Sequence, residues 1–337
     1  MTTPVLQFIL SAGAIIVAGI FLARAADSIA ELTKLGRLIV GSVFLAGATS
    51  LPEILVDLSS VRKGMPDLAV GDLMGSSLFN LFILAIADLM HRNPHKIFSR
   101  VSAAHALSAA MSIHMAAMAC IAIFLEQRLS GFEFGAIGLG PLAIGVSYLL
   151  GLRLMYFDQR SAIAAGAAPR DSAAERPGRG AMVKALSVFG VCTLVILIAS
   201  PFLAEAAGKL SDATGLGKTF VGTTLVAFCT SLPEMVSTVT AVRIGAFDLA
   251  VGNIFGSNSF NMLILIPLDL FHEGSLLAAV NPSHILTALA TILATSVAVM
   301  GQLYQAEKRK KFIEPDAFAI IGISIGALLL LYYVSTA

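Results

Sequence analysis

Two glutamates stand at equivalent places in two copies of one short motif. The motif TSLPE occurs at residues 49–53 and again at 230–234, and its last residues are Glu53 and Glu234. Each glutamate lies about 16 residues past the start of a long apolar stretch. A carboxylate at that depth costs at least ~2.5–3.5 kcal/mol by insertion scales, so an acid inside a membrane indicates function. Two such groups would neutralise one divalent cation.

Other oxygen-bearing side chains recur around the two glutamates. Each glutamate follows a proline, which removes a backbone donor and predicts a kink in the helix. Serine and asparagine residues spaced four apart in the next stretch share one helix face. Hard oxygen ligands without thiolate or imidazole suit Ca²⁺ and Na⁺ better than zinc or copper. The neutral candidates are Thr49, Ser50, Ser76 and Asn80 in the first copy, and Thr230, Ser231, Ser257 and Asn261 in the second.

The two motifs belong to a longer internal repeat. Residues 35–90 align with 216–271 at a constant offset of 181 without a gap, with 26 identities in 56 positions. Five apolar stretches separate equivalent positions, so the second copy enters the membrane from the opposite side. Inverted halves place corresponding residues near one another at the midplane, where transporters of this architecture bind their substrates. A repeat that served packing alone would not require a repeated glutamate, so the pattern indicates a transporter.

The composition requires that the elements holding these residues face lipid. The chain has 337 residues, of which 57% are hydrophobic and 13% charged, whereas a soluble domain carries about 25% charged residues. About 20 apolar residues cross a bilayer as a helix, and continuous apolar runs indicate helices rather than barrel strands. The predicted fold class is therefore an all-α membrane protein with ten transmembrane helices, arranged as two inverted five-helix repeats. The predicted spans are 5–25, 37–61, 68–90, 102–125, 132–156, 182–205, 218–242, 249–271, 282–304 and 314–335.

The distribution of Lys and Arg predicts the orientation. With the N-terminus outside, the inner loops hold 17 of the 22 Lys and Arg residues and the outer loops hold 5. This bias places both termini outside and the central loop in the cytoplasm. Residues 1–156 form the first five-helix repeat, 157–181 a flexible cytoplasmic linker, and 182–337 the second, inverted repeat. The compact loops suggest a bacterial inner membrane.

With these motifs the chain resembles the Ca²⁺/cation antiporter superfamily, and most closely its prokaryotic sodium/calcium exchanger branch. TSLPE followed by GS-x-x-F-N, present twice, carries the resemblance, which covers both signature repeats. It implies exchange of Ca²⁺ for Na⁺ by alternating access, in which helices 1 and 6 slide across the other eight. By motif position it also implies a shared set of cation ligands. These are Glu53, Glu234, Thr49, Thr230, Ser50, Ser231, Ser76, Ser257, Asn80 and Asn261.

Two acidic residues of the first repeat depart from the family pattern. Asp57 stands where the second repeat has Thr238, and Asp72 where the second repeat has Asn253. Both aspartates fall on the outer side of the predicted site. In one interpretation they form an accessory acidic cluster that alters ion choice, adds a second cation or carries protons. In the other they line a wet outer vestibule or bond to neighbouring helices.

The coupling ion has two candidates. Asn80 and Asn261 occupy midplane positions where some members of the resembled family carry an aspartate. Without that charge, proton coupling through Glu53 or Glu234 competes with Na⁺ coupling, because a carboxyl group removed from water holds its proton more readily. The alternative function is therefore an H⁺-coupled exchanger of divalent cations such as Ca²⁺, Mn²⁺ or Mg²⁺. A cation channel is the alternative of another class, although channels are more naturally symmetric oligomers.

Enzyme motifs are missing from the sequence. H-E-x-x-H and Walker-type phosphate loops do not occur, and the G-x-G-D pattern of membrane aspartyl proteases fails because residue 69 is alanine. No cofactor, nucleic acid or obligate protein partner is expected, and the partners are the transported ions and the lipid bilayer. The three cysteines, Cys120, Cys192 and Cys229, each stand alone in an apolar stretch and are interpreted as buried small hydrophobic residues.

Polar residues at helix ends have structural explanations. Asp67 and Asp248 open the third and eighth predicted helices, where a carboxylate favours the N-terminus of a helix. His105 lies in the fourth stretch, and pairing of helices is the favoured role over proton relay or metal binding.

Overall fold

The computed structural model describes residues 2–90, 103–126, 133–134, 137–164, 179–214, 228–303 and 315–336. Nearly all of this part of the chain is helical. The N-terminal half contains α1 (Thr2–Thr33), α2 (Arg37–Ile39), a π-helical turn (Val40–Leu45), α3 (Ala46–Thr49), α4 (Leu51–Arg62), α5 (Pro66–Met90), α6 (Ala103–Glu126) and α7 (Leu139–Ala164). The C-terminal half contains α8 (Arg179–Thr214), α9 (Leu232–Arg243), α10 (Phe247–Phe271), α11 (Leu276–Ala279), α12 (His284–Leu303) and α13 (Pro315–Thr336).

Seven of the described helices are long and apolar enough to cross a membrane. They are α1, α5, α6, α7, α8, α10 and α12. The helices of the segment Arg37–Arg62 pass the same test together, with a bend of 42° at the break between Thr49 and Leu51, and they make an eighth span if the pair crosses as one unit. α13 contains a shorter apolar segment, and α9 lies in the second part of the predicted span 218–242, of which 218–227 is outside the described residues. The chain is therefore a helical membrane protein whose described helices overlap the predicted apolar stretches.

Several helix ends differ from the predicted ones. α1 continues to Thr33 and α8 to Thr214, both well past the predicted ends of their apolar spans. α7 continues to Ala164 and α8 begins at Arg179, so both helices extend into the predicted linker 157–181. Residues 165–178 of that linker lie outside the described part of the chain. Helix ends are polar here, and hydropathy alone does not locate them.

The segment before α7 corrects one predicted boundary. A helix was predicted from residue 132, but two short strands, β1 (Glu133–Phe134) and β2 (Ile137–Gly138), pair antiparallel and α7 begins at Leu139. Glycine disfavours helix, and this segment is rich in glycine. The backbone N–H groups of Gly138 and Gly140 instead donate to the carboxylates of Asp269 and Glu126, at 2.7 and 2.8 Å.

The interior of the bundle is built around α10 and α5. Within an 18-residue apolar segment of each helix, 83% of the residues of α10 and 67% of those of α5 are buried. The corresponding shares are 28% for α1 and 22% each for α7 and α8. The more exposed helices therefore present most of the apolar surface that faces lipid. The three cysteines are buried and unlinked by disulfides, which confirms the prediction for them.

α10 crosses the first repeat at a contact between glycines. A Cβ atom on Gly41 would lie 2.6 Å from the carbonyl oxygen of Leu249, and one on Gly252 would lie 2.6 Å from that of Leu38. Glycine at both positions therefore allows the two backbones to touch, as small residues do in membrane bundles. This crossing brings the side chains of the two repeats together.

Each repeat contains a helical hairpin with the same turn. α4 and α5 are joined through Gly64, and α9 and α10 through Gly245, with φ angles of +73° and +78°. These left-handed conformations favour glycine, and the two glycines are equivalent at the offset of 181. Each hairpin places the residues after TSLPE beside the residues of the following long helix.

Candidate cation site

The helix is interrupted within both TSLPE motifs. Ser50 has φ −87° and ψ 2°, Ser231 has φ −83° and ψ 4°, and a new helix begins at the next residue. The proline then occupies the first turn, where its missing N–H group leaves no bond unmade. The predicted kink is confirmed, and it places Glu53 and Glu234 at the N-terminal ends of α4 and α9, where the helix dipole favours negative charge.

The serines of the motifs are directed away from their own helices. In S-x-x-E sequences the serine commonly bonds a backbone N–H group of its own helix, but neither Ser50 nor Ser231 makes such a bond. The hydroxyl of Ser50 instead donates to Oε1 of Glu234 at 3.2 Å. The hydroxyl of Ser231 donates to Oγ of Ser76 at 3.2 Å. Each hydroxyl therefore crosses from one repeat to the other.

Further contacts between the repeats occur in reciprocal pairs. Oγ1 of Thr49 lies 3.5 Å from Oδ1 of Asn253, and at the equivalent positions Oγ1 of Thr230 lies 3.4 Å from Oδ1 of Asp72. Thr49 of the first repeat thus contacts Asn253 of the second, and their equivalents, Thr230 and Asp72, contact each other in the same way.

The asparagines repeat this reciprocity. Nδ2 of Asn80 donates to Oδ1 of Asn258 at 3.0 Å, and at the equivalent positions Nδ2 of Asn261 donates to Oγ of Ser77 at 3.3 Å. An approximate two-fold relation therefore connects the two repeats within the site.

All ten predicted ligand residues are buried. None of them exposes more than 1% of its surface, so the site is closed to solvent in this structure. Several of their oxygen atoms have no hydrogen-bond donor among the described residues, although buried polar atoms in proteins are nearly always bonded. These are Oε2 of Glu53 and of Glu234, Oδ1 of Asn80 and of Asn261, and Oγ of Ser257. Such unpartnered oxygens suit a cation.

Comparison with known proteins gives the family of the chain. A sequence profile described as "Sodium/calcium exchanger protein" matches residues 3–152 and 184–336. The chain belongs to the sodium/calcium exchanger family. The inner membrane protein YrbG of Escherichia coli strain K12 is 30% identical over 232 residues, 68% of each chain. The sodium/calcium exchanger MaX1 of Methanosarcina acetivorans is 36% identical over 90 residues, 27% of this chain and 26% of its own.

A solved structure has the same fold as this chain. The sodium-calcium exchanger NCX_Mj superposes with a TM-score of 0.72 over 97% of this chain and 98% of its own, at 18% sequence identity. At that identity the likeness shows the fold. Together with the family match, it identifies the chain as a transmembrane antiporter of the sodium/calcium exchanger family.

The charged side chains described at the candidate site of this chain are acidic. Glu53 interacts electrostatically with Glu234, Asp72 and Asp57. None of the ion pairs in the described part of the chain involves any of these four carboxylates. The described residues also hold no cluster of three or more His, Cys, Asp or Glu side chains arranged around one metal position. A cation here would use carboxylates together with neutral oxygens, as Ca²⁺ and Na⁺ do.

Asp57 and Asp72 are buried beside the site. Asp57 exposes 1% of its surface and Asp72 8%, so neither lines a wet vestibule in this structure. Asp72 contacts Thr230 of the other repeat, as the prediction of bonding to neighbouring helices allows. The two carboxyl groups also face each other.

Sequence reasoning missed the amides that connect the two repeats. Nδ2 of Asn253 donates to Oγ of Ser237 at 3.1 Å and to Oγ1 of Thr238 at 2.9 Å, and Asn258 accepts from Asn80. The signal that could have found these residues is the presence of two asparagines in the middle of an apolar helix, where polar groups are costly.

Two histidine–aspartate pairs connect helices away from the site. Nε2 of His105 lies 2.9 Å from Asp248, and Nε2 of His284 lies 3.0 Å from Asp67. Both aspartates lie in the first turn of their helices, as predicted, and Asp67 also accepts from the backbone N–H group of Asn281 at 2.6 Å. His105 joins α6 to α10, the helix-pairing role predicted for it.

Proposed function

We propose that the chain exchanges Ca²⁺ for Na⁺ across the membrane by alternating access. In this proposal residues 1–156 and 182–337 are two inverted five-helix repeats with ten transmembrane helices in total, and residues 157–181 contain the linker. Glu53 and Glu234 bind Ca²⁺ jointly. The neutral ligands are Thr49, Ser50, Ser76, Asn80, Thr230, Ser231, Ser257 and Asn261.

The reciprocal contacts between the repeats carry the proposal. Thr49 with Asn253 and Thr230 with Asp72 form one such set, at 3.5 and 3.4 Å. A two-fold axis in the membrane plane relates inverted repeats in transporters, and their substrates bind at the interface of the repeats near the midplane. Buried oxygens with no donor lie at this interface, and two carboxylates there balance the charge of one divalent cation.

Burial of the site supports alternating access rather than a continuous pore. An ion held among these residues is out of contact with solvent, so it is released only after helices move. α1 and α8 pack along each other at the lipid-facing side of the bundle, and α1 contacts α9 where Gly19 meets Val236. A pair of helices at the periphery can slide without disturbing α5 and α10, and we assign the movement to α1 and α8.

Location and orientation follow from the same proposal. The positive-inside bias supports a chain with both termini outside and the central loop in the cytoplasm. The relative YrbG is an inner membrane protein, and a bacterial inner membrane is the location proposed for this chain.

Proton-coupled exchange is the second candidate function. Asn80 and Asn261 are neutral, and no aspartate supplies charge at the midplane positions. Four buried carboxyl groups are nevertheless present at and beside the site, those of Glu53, Glu234, Asp57 and Asp72, and carboxyl groups out of water hold protons more readily. In this version divalent cations such as Ca²⁺, Mn²⁺ or Mg²⁺ exchange for H⁺ at the same site.

Transport by the reconstituted protein distinguishes the candidates. Proteoliposomes receive ⁴⁵Ca²⁺ outside and either an outward Na⁺ gradient or an outward H⁺ gradient, and uptake is compared among the wild type, Glu53→Gln and Glu234→Gln. Uptake driven by Na⁺ alone and abolished in both variants is the expected result. Uptake driven by H⁺ alone would replace Na⁺ with H⁺ as the coupling ion. Equal uptake without either gradient would indicate a channel, and no uptake under any condition would exclude Ca²⁺ as the substrate.

A further inference from the structure

We propose that Asp57 and Asp72 form a second cation site, for a hard divalent cation, beside the site of Glu53 and Glu234. The inference rests on the proposed function, because it assumes that cations enter the interface between the repeats. It assigns a ligand role to two residues that belong to one repeat alone.

The first observation is that the Asp57 side chain is buried without a donor. It exposes 1% of its surface, and neither of its carboxylate oxygens has a hydrogen-bond donor among the described residues. Oδ2 of Asp72 is likewise without a donor, with 8% of that residue exposed. A buried carboxylate is costly unless it is paired or coordinates a metal. These three oxygens therefore call for a positive partner.

The second observation is the direction of the two side chains. The carboxyl groups of Asp57 and Asp72 face each other, one from α4 and one from α5. When both groups are ionised, the two like charges repel each other strongly in a medium of low polarity, and without a cation a shared proton relieves that repulsion. A cation between them converts the repulsion into attraction. Thr230 of the other repeat lies 3.4 Å from Oδ1 of Asp72 and adds a hydroxyl oxygen to the edge of the same cluster.

The third observation comes from the second repeat. There the two equivalent positions hold Thr238 and Asn253, and the amide donates to the hydroxyl at 2.9 Å. This neutral pair satisfies itself, and it occupies the same place in the hairpin of α9 and α10. The fold therefore accepts an uncharged pair at these positions. The two carboxyl groups of the first repeat supply charge that the hairpin does not require.

The total charge favours a divalent ion. Four carboxyl groups interact in this region, and the described residues pair none of them with Lys or Arg. One divalent cation at Glu53 and Glu234 leaves the charge of Asp57 and Asp72 uncompensated, and a second divalent cation balances it. Carboxylate and hydroxyl oxygens are ligands for Ca²⁺ and other hard cations, with water completing the coordination.

Counting bound ions tests the proposal. The purified full-length protein is equilibrated with ⁴⁵Ca²⁺ at saturating concentration in Na⁺-free buffer, and the bound Ca²⁺ per chain is measured. We expect two ions per wild-type chain. The double variant Asp57→Thr/Asp72→Asn copies the neutral pair of the second repeat, and we expect it to bind one. The double variant Glu53→Gln/Glu234→Gln is expected to retain one ion, at the site of Asp57 and Asp72.

The outcomes separate this inference from the proposed function. One ion per chain in both the wild type and Asp57→Thr/Asp72→Asn, lost in Glu53→Gln/Glu234→Gln, would overturn the second site and leave the exchanger proposal intact. No bound Ca²⁺ in the wild type would overturn both. Should the threonine variant fail to fold, the isosteric variant Asp57→Asn/Asp72→Asn provides the same count, with thermal unfolding of each variant as the check on folding.

Discussion

The two repeats of this antiporter share a backbone design but differ in charge. Both contain an interrupted helix at TSLPE, a hairpin with a left-handed glycine, and a long buried helix that carries the serines and asparagines. At one pair of equivalent positions, however, the second repeat holds a bonded Thr238–Asn253 pair and the first holds Asp57 and Asp72. The backbone features that both repeats share are the ones that the fold requires. The difference in charge shows where the two repeats differ at their interface.

The two glutamates are also less alike than their motifs suggest. Glu234 accepts a hydrogen bond from Ser50, whereas Ser231, the equivalent of Ser50, bonds to Ser76 and not to Glu53. Glu53 instead lies within electrostatic range of both added aspartates. The two repeats are therefore alike in backbone, whereas the contacts of their motif serines and the distribution of their acidic groups differ. Substitutions at paired positions can separate these two contributions.

The largest effect is expected from removing either glutamate. Glu53→Gln and Glu234→Gln should each weaken Ca²⁺ binding by about 100-fold to a few thousand-fold, because a buried charge that loses its partner costs about 3–5 kcal/mol. Titration calorimetry with Ca²⁺ measures this loss. Glu205→Gln is the matched control, since Glu205 is exposed and pairs with Lys209 on the helix surface. Loss from only one of the two site variants would contradict joint binding.

A second experiment makes the repeats alike by adding charge to the neutral one. Thr238→Asp/Asn253→Asp places two more carboxyl groups in a buried position, and we expect the metal-free protein to lose about 3 kcal/mol of stability. Thermal unfolding in detergent should show a lower midpoint that Ca²⁺ partly restores. Thr238→Asn, which adds a polar group without charge, serves as the control. An unchanged midpoint in the double variant would mean that the buried environment does not distinguish the neutral pair from the acidic one.

A third pair of variants compares the packing of equivalent glycines. A Cβ atom on Gly256 would lie 2.5 Å from the carbonyl oxygen of Ser42, whereas one on Gly75 would meet no heavy atom within 4 Å beyond the neighbouring backbone of its own helix. Gly256→Ala should therefore destabilise the protein by about 1–3 kcal/mol through overpacking. Gly75→Ala should be neutral, or stabilising by up to about 1 kcal/mol. Thermal unfolding midpoints of the two variants test the difference, and equal midpoints would argue against the close crossing of α10 with the first repeat.

The smallest effect concerns the two motif serines. Ser50→Ala removes a hydroxyl that bonds a carboxylate, and we expect Ca²⁺ binding to weaken by about 5-fold, the value of one modest hydrogen bond. Ser231→Ala removes a contact with a neutral serine and should cost about 2-fold. Ca²⁺ titrations of both variants measure the ratio. A larger loss from Ser231→Ala would reverse the assignment of the asymmetric contact.

The sequence was informative about local structure and about which residues meet. Apolar runs predicted the helices, the prolines predicted the kinks after Ser50 and Ser231, and the repeat predicted that residues from both copies lie together. The directions of individual side chains could not be predicted. Whether Ser50 bonds its own helix or crosses to Glu234 depends on how closely two backbones approach, and that distance depends on the contact of Gly41 with Gly252. The short strands before Leu139 were missed because hydropathy does not register glycines whose N–H groups bond to distant carboxylates.

Full burial of the predicted ligands also limits how fast the protein can work. Ions surrounded by Glu53, Glu234 and their neutral neighbours would leave only when helices separate, so every load of ions would require its own cycle of movement. Collective motions of this kind take microseconds to milliseconds, and a millisecond step allows on the order of a thousand cycles per second. Throughput is therefore set by the mechanics of the bundle rather than by diffusion. A protein closed in this way also does not let ions leak down the gradients that would drive exchange.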